Sequence, residues 1–459
     1  MALTADDQTT QTCLDELITE QERRFLQRQP ASARMVERAR RSLAGGVTSN
    51  WQIARPQTVW ISHGAGSKIY DLDGKEYVDF HGGYGAMAVG HAHPAVVEAV
   101  STRIGKGSHF AQPTEDATLV AEELARRFGL PLWRFCNSGT EATMDAVHLM
   151  RAATGRTKIV KVEGAYHGHH DSVMVSVADG YPEIGPAERP ESVASGSGLP
   201  DEIIDLTLVV PFNDAAALER TFDEHHGTIA GVIMEPVMMN AGIIPPQPDY
   251  LAKVERIVHN NGALLAFDEV KTGLTVAPGG VTVSMGVSPD IVTLAKSLGG
   301  GLPCGAIGGT AEIMGCIADG RYEQVGTFNG NPLTMASALA TLTEVLTEDV
   351  YRRWDDLRSL MVEGCEGAID QCDIPAHVVA IGAKGCVTFS PTPVTNYREF
   401  LEIDDRFSHC HWLFQHNGGV FLPPWGKAEQ WLLSAQHDDD DAGRFVSNFT
   451  EFAKAVSDR

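Results

Sequence analysis

The segment "NNGALLAFDEV" (260–270) passes from polar residues into five apolar positions and then reaches two carboxylates. Residues 263–267 are continuously apolar and follow a glycine, which is typical of a strand buried on both faces of a parallel sheet. The next residue, Asp268, would cost several kcal/mol if it stayed ionised there without a partner. We therefore expect a cationic group at the carboxyl end of this strand.

Six further short apolar segments are separated by helical stretches between about residues 90 and 335. This alternation predicts an α/β fold with a mostly parallel, seven-stranded sheet covered by helices. We expect a large domain over 86–335 and a smaller α+β domain built from both termini, 1–85 and 336–459. The smaller domain includes a hairpin at 68–80 around Asp73-Gly74. The six other predicted strands are 133–136, 158–162, 206–210, 229–234, 291–294 and 305–308.

Composition excludes several classes of partner. The chain has 459 residues, of which 43% are hydrophobic, and 36 Lys and Arg against 60 Asp and Glu give a net charge of −24. This balance argues against nucleic acid or an anionic membrane as the main partner. No apolar run approaches the ~18–20 residues that span a bilayer. With no signal-peptide pattern and eight scattered cysteines lacking a CxxC pair, we predict a cytoplasmic protein.

The segment "RFCNSGTEATMDAVHLMRA" (134–152) predicts a strand, a short turn and a long amphipathic helix. The turn, Asn137 to Thr140, offers free backbone N–H groups and two hydroxyls, which suit a phosphate. An ordinary helix N-cap by Ser138 explains the same residues equally well.

The segment "IVTLAKSLGGGLPCGAIGG" (291–309) places Lys296 just past an apolar strand. Such a lysine is more often an edge residue or half of an ion pair, but desolvation would lower its pKa and prepare it for Schiff-base chemistry. Asp268, Lys296 and a phosphate seat together match the requirements of pyridoxal 5′-phosphate: a carboxylate for the protonated ring nitrogen and an amine for the aldehyde. At an effective dielectric near 20, the charge pair would be worth about 4 kcal/mol. The expected cation is then the cofactor.

Two other features suggest weaker alternatives. The histidines 167, 169 and 170 with Asp171 could be read as metal ligands, but their spacing and the lack of a second ligand group argue against a metal site. The polar, Pro/Gly-rich segment 179–202 is typical of either a disordered surface loop or a lid over a site.

From about residue 40 to 455 the chain resembles the class III, fold-type-I aminotransferases. It is most similar to the branch that contains glutamate-1-semialdehyde 2,1-aminomutase and D-phenylglycine aminotransferase. The matching motifs are long and occur in the family's order: "GHAHP" (90–94), "NSGTEATM" (137–144), "GAYHGHHDS" (164–172), "EPV" (235–237), "FDEVKTG" (267–273), "GVSPDIVTLAKSLGGGLPCGAIGG" (286–309) and "GTFNGNP" (326–332).

The resemblance implies pyridoxal phosphate as cofactor and assigns a role to each matching position. It also implies a homodimer with shared active sites, because one of these residues would reach a phosphate in the neighbouring subunit. The implied roles are phosphate binding by Ser138, Gly139 and Thr140, contact with the ring by Tyr166 and Val270, lining of the O3′ side by Glu235 and Asn240, pairing with N1 by Asp268, a Schiff base at Lys296, and the intersubunit phosphate contact by Thr327.

The substrate residues depart from the aminomutase pattern. In the aminomutases the stretch after the N-terminal glycines supplies an arginine for the substrate carboxylate, whereas "GGVTSNWQIARP" (45–56) has Gln52 there and Arg55 three residues later. The resemblance implies that Ser49, Tyr84 and Glu429 also line the substrate pocket, and "LSAQH" (433–437) is similar to D-phenylglycine aminotransferase.

These departures favour an intermolecular aminotransferase, which moves an amino group between a β-, D- or aromatic amino acid, or an amine, and a 2-oxo acid. The alternative is the intramolecular aminomutase, with Arg55 holding the carboxylate in a shifted register. A catalytically silent binding protein is a third hypothesis. Retention of Lys296, Asp268 and the phosphate motif argues against it.

Overall fold

The computed structural model describes residues 5–177, 184–424 and 426–457, with side chains from residue 14 onward. The chain forms two compact units. The larger comprises Pro94–Tyr351 and Val394–Glu402, and the smaller comprises Met1–His93, Arg352–Pro393 and Ile403–Arg459.

The strands in chain order are β1 (Ile61–Ala65), β2 (Lys68–Asp71), β3 (Glu76–Asp79), β4 (Leu132–Cys136), β5 (Lys158–Val162), β6 (Thr207–Val210), β7 (Ile229–Met234), β8 (Leu264–Asp268), β9 (Ile291–Ala295), β10 (Gly305–Gly309), β11 (His377–Ile381), β12 (Lys384–Thr388), β13 (Val420–Phe421) and β14 (Trp431–Leu432).

The helices are α1 (Ala5–Arg28), α2 (Pro30–Ala39), the single turn α3 (Gly82–Gly85), α4 (Pro94–Ile104), α5 (Glu115–Phe128), α6 (Gly139–Thr154), α7 (Asp201–Ile204), α8 (Ala215–Glu224), α9 (Tyr250–Asn260), α10 (Gly280–Ser284), α11 (Ala311–Ala318), α12 (Pro332–Ala340), α13 (Glu348–Cys372), α14 (Tyr397–Leu401), α15 (Asp405–Asn417) and α16 (Asp439–Ser457).

The larger unit is built on a seven-stranded sheet in the order β4-β10-β9-β8-β7-β5-β6. β10 is antiparallel to both of its neighbours, and the other six strands share one direction. The predicted α/β fold is confirmed, and each of the seven predicted strands lies within one residue of its expected bounds. The central strands β7 and β9 are buried throughout, which explains why they read as continuous apolar runs.

Helix α6 packs against this sheet and begins at the site. Its apolar residues Ala146, Val147 and Met150 join Ile233 of β7 and Ile291 of β9 in one buried cluster. Packing of this face fixes where the first turn of α6 lies relative to the strand ends.

The smaller unit contains a four-stranded sheet in the order β1-β2-β3-β13 and a three-stranded sheet in the order β11-β12-β14. The predicted hairpin is confirmed, because β2 and β3 pair antiparallel with Lys68 opposite Val78. The C-terminal strand β13 pairs in parallel with β3, so segments from both ends of the chain share one sheet. Among the described residues, no helix is long and apolar enough to cross a membrane.

The described part of the predicted lid, 184–202, is held by hydrogen bonds within the larger unit. The N–H of Glu191 donates to Ile184 O at 2.9 Å, and the N–H of Ser195 donates to Met174 O at 2.9 Å. The guanidinium of Arg398 donates to Ile184 O at 2.8 Å and to Gly185 O at 3.1 Å. These bonds do not fit a disordered surface loop over 184–195. Residues 179–183 of the same segment lie outside the described residues.

Candidate active site

The carboxyl ends of the parallel strands bring five predicted residues to one edge of the sheet. Ser138 lies just beyond β4, Tyr166 beyond β5, Glu235 beyond β7 and Lys296 beyond β9, while Asp268 is the last residue of β8. In open α/β sheets this edge is where ligands bind.

Asp268 is buried, with 4% of its surface exposed, and is hydrogen-bonded on both carboxylate oxygens. Its Oδ2 lies 2.7 Å from His167 Nδ1. Its Oδ1 accepts from the N–H of Val270 at 3.0 Å and from the Thr293 hydroxyl at 3.4 Å. These three contacts fix the orientation of the carboxylate. Sequence analysis missed this role of His167, which it considered only as a metal ligand.

The second carboxylate of the opening segment, Glu269, has a structural role. It is fully buried and accepts from the N–H groups of Val281 and Thr282, both at 2.7 Å. The hydroxyls of Thr282 and Thr272 donate to it at 2.6 and 2.9 Å. Burial raises the pKa of Glu269, and the four donors offset only part of that effect. The two adjacent carboxylates therefore have different roles. Asp268 lies at the carboxyl-end edge of the sheet, whereas Glu269 holds residues 272–282 in place through hydrogen bonds.

The predicted phosphate seat is the first turn of the 16-residue helix α6. Ser138 caps this helix, since its Oγ accepts from the N–H of Glu141 at 3.2 Å, and its own proton remains available to a second acceptor. The cap and phosphate interpretations of Ser138 are therefore compatible.

The space around this turn tests whether a phosphate fits. A Cβ on Gly139 would lie 3.0 Å from a Val270 methyl, and a Cβ on Gly168 would lie 2.7 Å from Thr140 Cα. Glycine at both positions lets the segments that carry Val270 and Gly168 approach the first turn of α6 closely. The seat is narrow and rich in donors, which fits a phosphate.

Lys296 directly follows β9 and begins the short turn Lys296–Gly299. Its φ is +49°, a conformation that costs a non-glycine residue on the order of 1–3 kcal/mol. In the sheet register Asp268 lies opposite Thr293, three residues before Lys296, so both side chains arise at the same edge. A constrained amine at this edge fits the role of binding the cofactor's aldehyde.

Tyr166 and Glu235 are linked directly. The N–H of Tyr166 donates to Glu235 Oε1 at 3.0 Å, and the N–H of Met239 donates to Oε2 at 2.8 Å. Glu235 therefore joins the turns that follow β5 and β7, and Asn240 is half-buried one residue beyond Met239. Burial and the nearby Asp268 carboxylate raise the pKa of Tyr166 to about 12, so its phenol stays neutral at physiological pH.

Lys161, inside β5, is a buried cation that sequence analysis missed, because its strand was recognised only by the apolar pattern. Its Nζ donates to the carbonyls of Val175 at 2.8 Å and Val162 at 3.1 Å. Burial lowers its pKa to about 7, while the carboxylates of Glu235 and Glu163 oppose that effect. Lys161 supports the turn after β5 from within the sheet.

The four substrate candidates belong to the smaller unit, and the structure links two of them. Tyr84 donates its hydroxyl to the carbonyl of Trp51, next to Gln52, and the two rings lie 5.4 Å apart. Gln52 Oε1 accepts from both the N–H and the hydroxyl of Thr48, at 3.0 and 2.8 Å. These bonds orient the Gln52 amide so that its NH₂ points away from Thr48. Ser49 is exposed at the start of the same turn, and Glu429 is half-buried after the turn 426–428.

Arg55 is already paired. Its Nε lies 2.8 Å from Glu22 Oε1, and the same carboxylate lies 2.9 Å from His409 Nε2. The Arg55 side chain is 73% exposed, so this is a surface ion pair in which Nε faces the Glu22 carboxylate.

Thr327 is exposed in this chain, on a turn flanked by two exposed apolar side chains. Val325 is 74% exposed and Phe328 is 56% exposed. Among the described residues, no group of three or more His, Cys, Asp or Glu side chains is arranged to hold a metal ion.

Comparison with known proteins agrees with this geometry. The family model for aminotransferase class-III matches residues 52–421. The glutamate-1-semialdehyde 2,1-aminomutase 2 of Brevibacillus brevis is 37% identical over 421 residues, covering 90% of this chain and 96% of that protein.

Two solved structures are similar along nearly the whole chain. An omega-transaminase from Sphaerobacter thermophilus has a TM-score of 0.88 at 33% identity and covers 93% of this chain and 98% of its own. A glutamate-1-semialdehyde-aminomutase variant of Pseudomonas aeruginosa PAO1 in complex with PMP has a TM-score of 0.89 at 29% identity. The match covers 97% of this chain and 99% of that structure's chain.

The fold and the strand-end site define a fold-type-I enzyme that uses pyridoxal phosphate. The chain belongs to the class III aminotransferase family. The turn that begins α6, the buried Asp268 and the constrained Lys296 fit the donors, the carboxylate and the amine that this cofactor requires.

Proposed function

We propose that this enzyme is an intermolecular aminotransferase, which exchanges an amino group between an amino acid and a 2-oxo acid. The observation that carries this proposal is the pair of contacts around Gln52 and Arg55. Gln52 stands where the aminomutases carry arginine, and its amide is oriented by Thr48. Arg55, the remaining candidate, forms a surface ion pair with Glu22. A neutral amide cannot replace the bidentate pair between a guanidinium and a carboxylate.

The proposed roles follow from the contacts described above. Pyridoxal phosphate supplies an electrophilic aldehyde and a ring that accepts electrons. Ser138, Gly139 and Thr140 hold the phosphate, and Asp268, oriented by His167, holds the proton on the ring nitrogen. Lys296 holds the aldehyde and, when the substrate displaces it, moves the proton at the substrate Cα.

The ring itself is proposed to lie between Tyr166 and Val270. A Cβ on Gly139 would lie 3.0 Å from a Val270 methyl, and this closeness of Val270 to the first turn of α6 supports the placement. Glu235 and Asn240 are proposed to line the O3′ side. Glu235 already accepts hydrogen bonds from the N–H groups of Tyr166 and Met239, and we propose that it lines the O3′ side in addition.

The second candidate is the aminomutase reaction, which the name of the Brevibacillus brevis relative favours. The two reactions differ in whether the amino group leaves the molecule. An aminomutase must keep its substrate bound by a second anchor while the amino group changes position. Gln52 supplies only a neutral donor for that anchor.

Glutamate-1-semialdehyde supplied alone should yield 5-aminolevulinate only slowly. Gln52→Arg should raise that rate about tenfold or more, because one added charge-assisted bond contributes roughly 1.5–3 kcal/mol. Product formation without any amino acceptor measures the reaction directly.

Arg55→Gln is the matched control for this experiment. If Arg55 holds the substrate carboxylate, this variant loses the mutase activity. We expect no change. Efficient conversion by the unmodified enzyme without an acceptor would show that the aminomutase is the correct assignment.

We also propose that the enzyme is a homodimer in which Thr327 completes the neighbouring phosphate site. The exposed Val325 and Phe328 beside Thr327 support an interface at this turn. Sedimentation should give the mass of two chains, and Val325→Asp with Phe328→Asp should shift the equilibrium toward one chain and weaken cofactor retention. A monomer that retains its cofactor fully would exclude this arrangement.

A further inference from the structure

An imidazole lies beside the phosphate seat, within the larger unit. His169 belongs to the segment that follows β5, and its Nδ1 lies 3.2 Å from the hydroxyl oxygen of Thr140. Thr140 is the second residue of α6 and is half-buried, whereas His169 is exposed. The hydrogen bond therefore joins a histidine at the surface to a side chain of the proposed phosphate site.

Both neighbours of His169 are held against the same turn of α6. On one side, a Cβ on Gly168 would lie 2.7 Å from Thr140 Cα and from Thr140 Oγ1, so glycine is needed for this close approach. Gly168 also has a φ of +100°, a conformation that suits glycine. On the other side, His170 Nε2 lies 3.4 Å from the Thr143 hydroxyl. These contacts fix the backbone that carries His169.

The backbone before these residues is anchored as well. The Thr143 hydroxyl donates to the carbonyl of His167. The ring of His167 is in turn 2.7 Å from Asp268 Oδ2. The segment 167–170 is therefore attached to the first turn of α6 and to the end of β8, and the position of His169 beside Thr140 does not depend on the contact between these two side chains alone.

The direction of the Thr140 hydroxyl proton decides what a phosphate meets. A hydroxyl has one proton to donate and two lone pairs to accept with. If Nδ1 of His169 accepts that proton, the Thr140 oxygen presents only lone pairs to the phosphate oxygens, and acceptors repel each other. If Nδ1 carries a proton and donates it to Oγ1, the hydroxyl proton can point to the phosphate. A hydrogen bond to an ionised acceptor is roughly twice as strong as a neutral one, so a bound phosphate selects the second arrangement.

We propose that His169 is a positioning residue of the cofactor site: its Nδ1–H donates to Thr140 and directs the Thr140 hydroxyl proton to the phosphate. The inference rests on the proposed function, which takes Thr140 as a phosphate contact, and it adds a fourth residue to that seat. His169 acts through Thr140 and does not touch the cofactor. Its ring nitrogen thus has a role other than the metal ligation considered from the sequence.

The first test compares two aldehydes that differ only in the phosphate ester. Equilibrium dialysis of the full chain gives the dissociation constants of pyridoxal phosphate and pyridoxal. Their ratio isolates the phosphate, because the ring and the aldehyde contribute to both. His169→Phe should lower the preference for the phosphate ester about three- to tenfold, which is the effect of one neutral hydrogen bond.

Two further variants control this measurement. His169→Asn should keep most of the preference, because the asparagine amide can place an N–H donor close to the position of Nδ1. His226→Phe, which replaces another exposed histidine of the larger unit, is the matched control and should behave like the unmodified enzyme.

The second test determines whether His169 acts through Thr140. Thr140→Val removes the hydroxyl and keeps a branched side chain of similar size. It should lower the preference for the phosphate ester about tenfold or more, because the lost bond has a charged acceptor. In Thr140→Val, the additional substitution His169→Phe should have no further effect. A purely structural role for His169 would instead weaken the binding of both aldehydes in parallel. Melting temperatures verify folding, and His169→Leu is the second variant if His169→Phe is unstable.

The outcomes separate this inference from the proposed function. An unchanged ratio in His169→Phe or in Thr140→Val, an equal loss in His169→Phe and His169→Asn, or additive effects of the two substitutions would overturn the role of His169. If the ratios change as expected but no amino donor transfers its amino group to a 2-oxo acid, the proposed function fails while the role of His169 stands.

Discussion

Lys296→Ala should abolish turnover and leave the fold intact. The amine has two tasks in the proposed reaction, since it holds the cofactor's aldehyde and moves the proton at the substrate Cα. A methyl group can do neither. Loss of a positioned acid–base group alone costs up to about 10⁴-fold in rate, and we expect the loss here to reach that size. Alanine keeps the Cβ and therefore the same backbone conformation at φ +49°, so we do not expect a large change of stability.

The measurement has two parts. Multiple-turnover assays with an amino donor and a 2-oxo acid give the rate, and borohydride treatment followed by peptide mass analysis locates the covalent attachment. The cofactor should be fixed to the peptide containing Lys296 in the unmodified enzyme and to no peptide in the variant. Lys253→Ala, on the exposed face of α9 in the same unit, is the matched control. Substantial turnover by Lys296→Ala would exclude this lysine as the amine.

Asp268→Asn should lower the rate by roughly 10³-fold. Two opposite charges about 4 Å apart interact by about 4 kcal/mol at an effective dielectric near 20, and the amide removes that interaction with the protonated ring nitrogen. The substitution also disturbs the site locally. An amide has one acceptor oxygen for the His167 and Val270 donors that now approach two different carboxylate oxygens.

Asp290→Asn separates the electrostatic effect from the loss of a carboxylate in the sheet. Asp290 directly precedes β9 and lies at the opposite edge of the same sheet. Its carboxylate accepts a hydrogen bond from the N–H of Leu265 at 2.8 Å. We expect this variant to change stability while leaving kcat/KM nearly unchanged. A near-normal rate in Asp268→Asn would mean that this carboxylate is not the partner of the ring nitrogen.

Asp268 and Glu269 have different roles, which shows why adjacent carboxylates at a strand end need not share a function. Side chains of successive strand residues point to opposite sides. One carboxylate therefore has its donors from His167 and Val270, and the other has its donors from residues 272–282. The substitution of one should not reproduce the effect of the other.

The sequence alone was sufficient for the strands, the hairpin and the strand-end positions of Asp268 and Lys296. Those features depend on local patterns: apolar runs bounded by glycine, alternation around Asp73-Gly74, and a Ser-Gly-Thr turn before a helix. Each pattern reports a preference of neighbouring residues, and the preferences agree with one another along the chain. The family motifs extended this to a cofactor and to named roles.

Only the tertiary structure decided which distant residues meet. His167 reaches Asp268 across 101 positions, and Arg398 reaches Glu163 across 235. The ion pair of Arg55 with Glu22 likewise joins a loop residue to helix α1. A buried polar group must find a partner, but sequence periodicity does not say which one, because many segments could supply the same donor. The strand pattern thus determined where the chemistry is located, and packing of the whole chain determined what surrounds it.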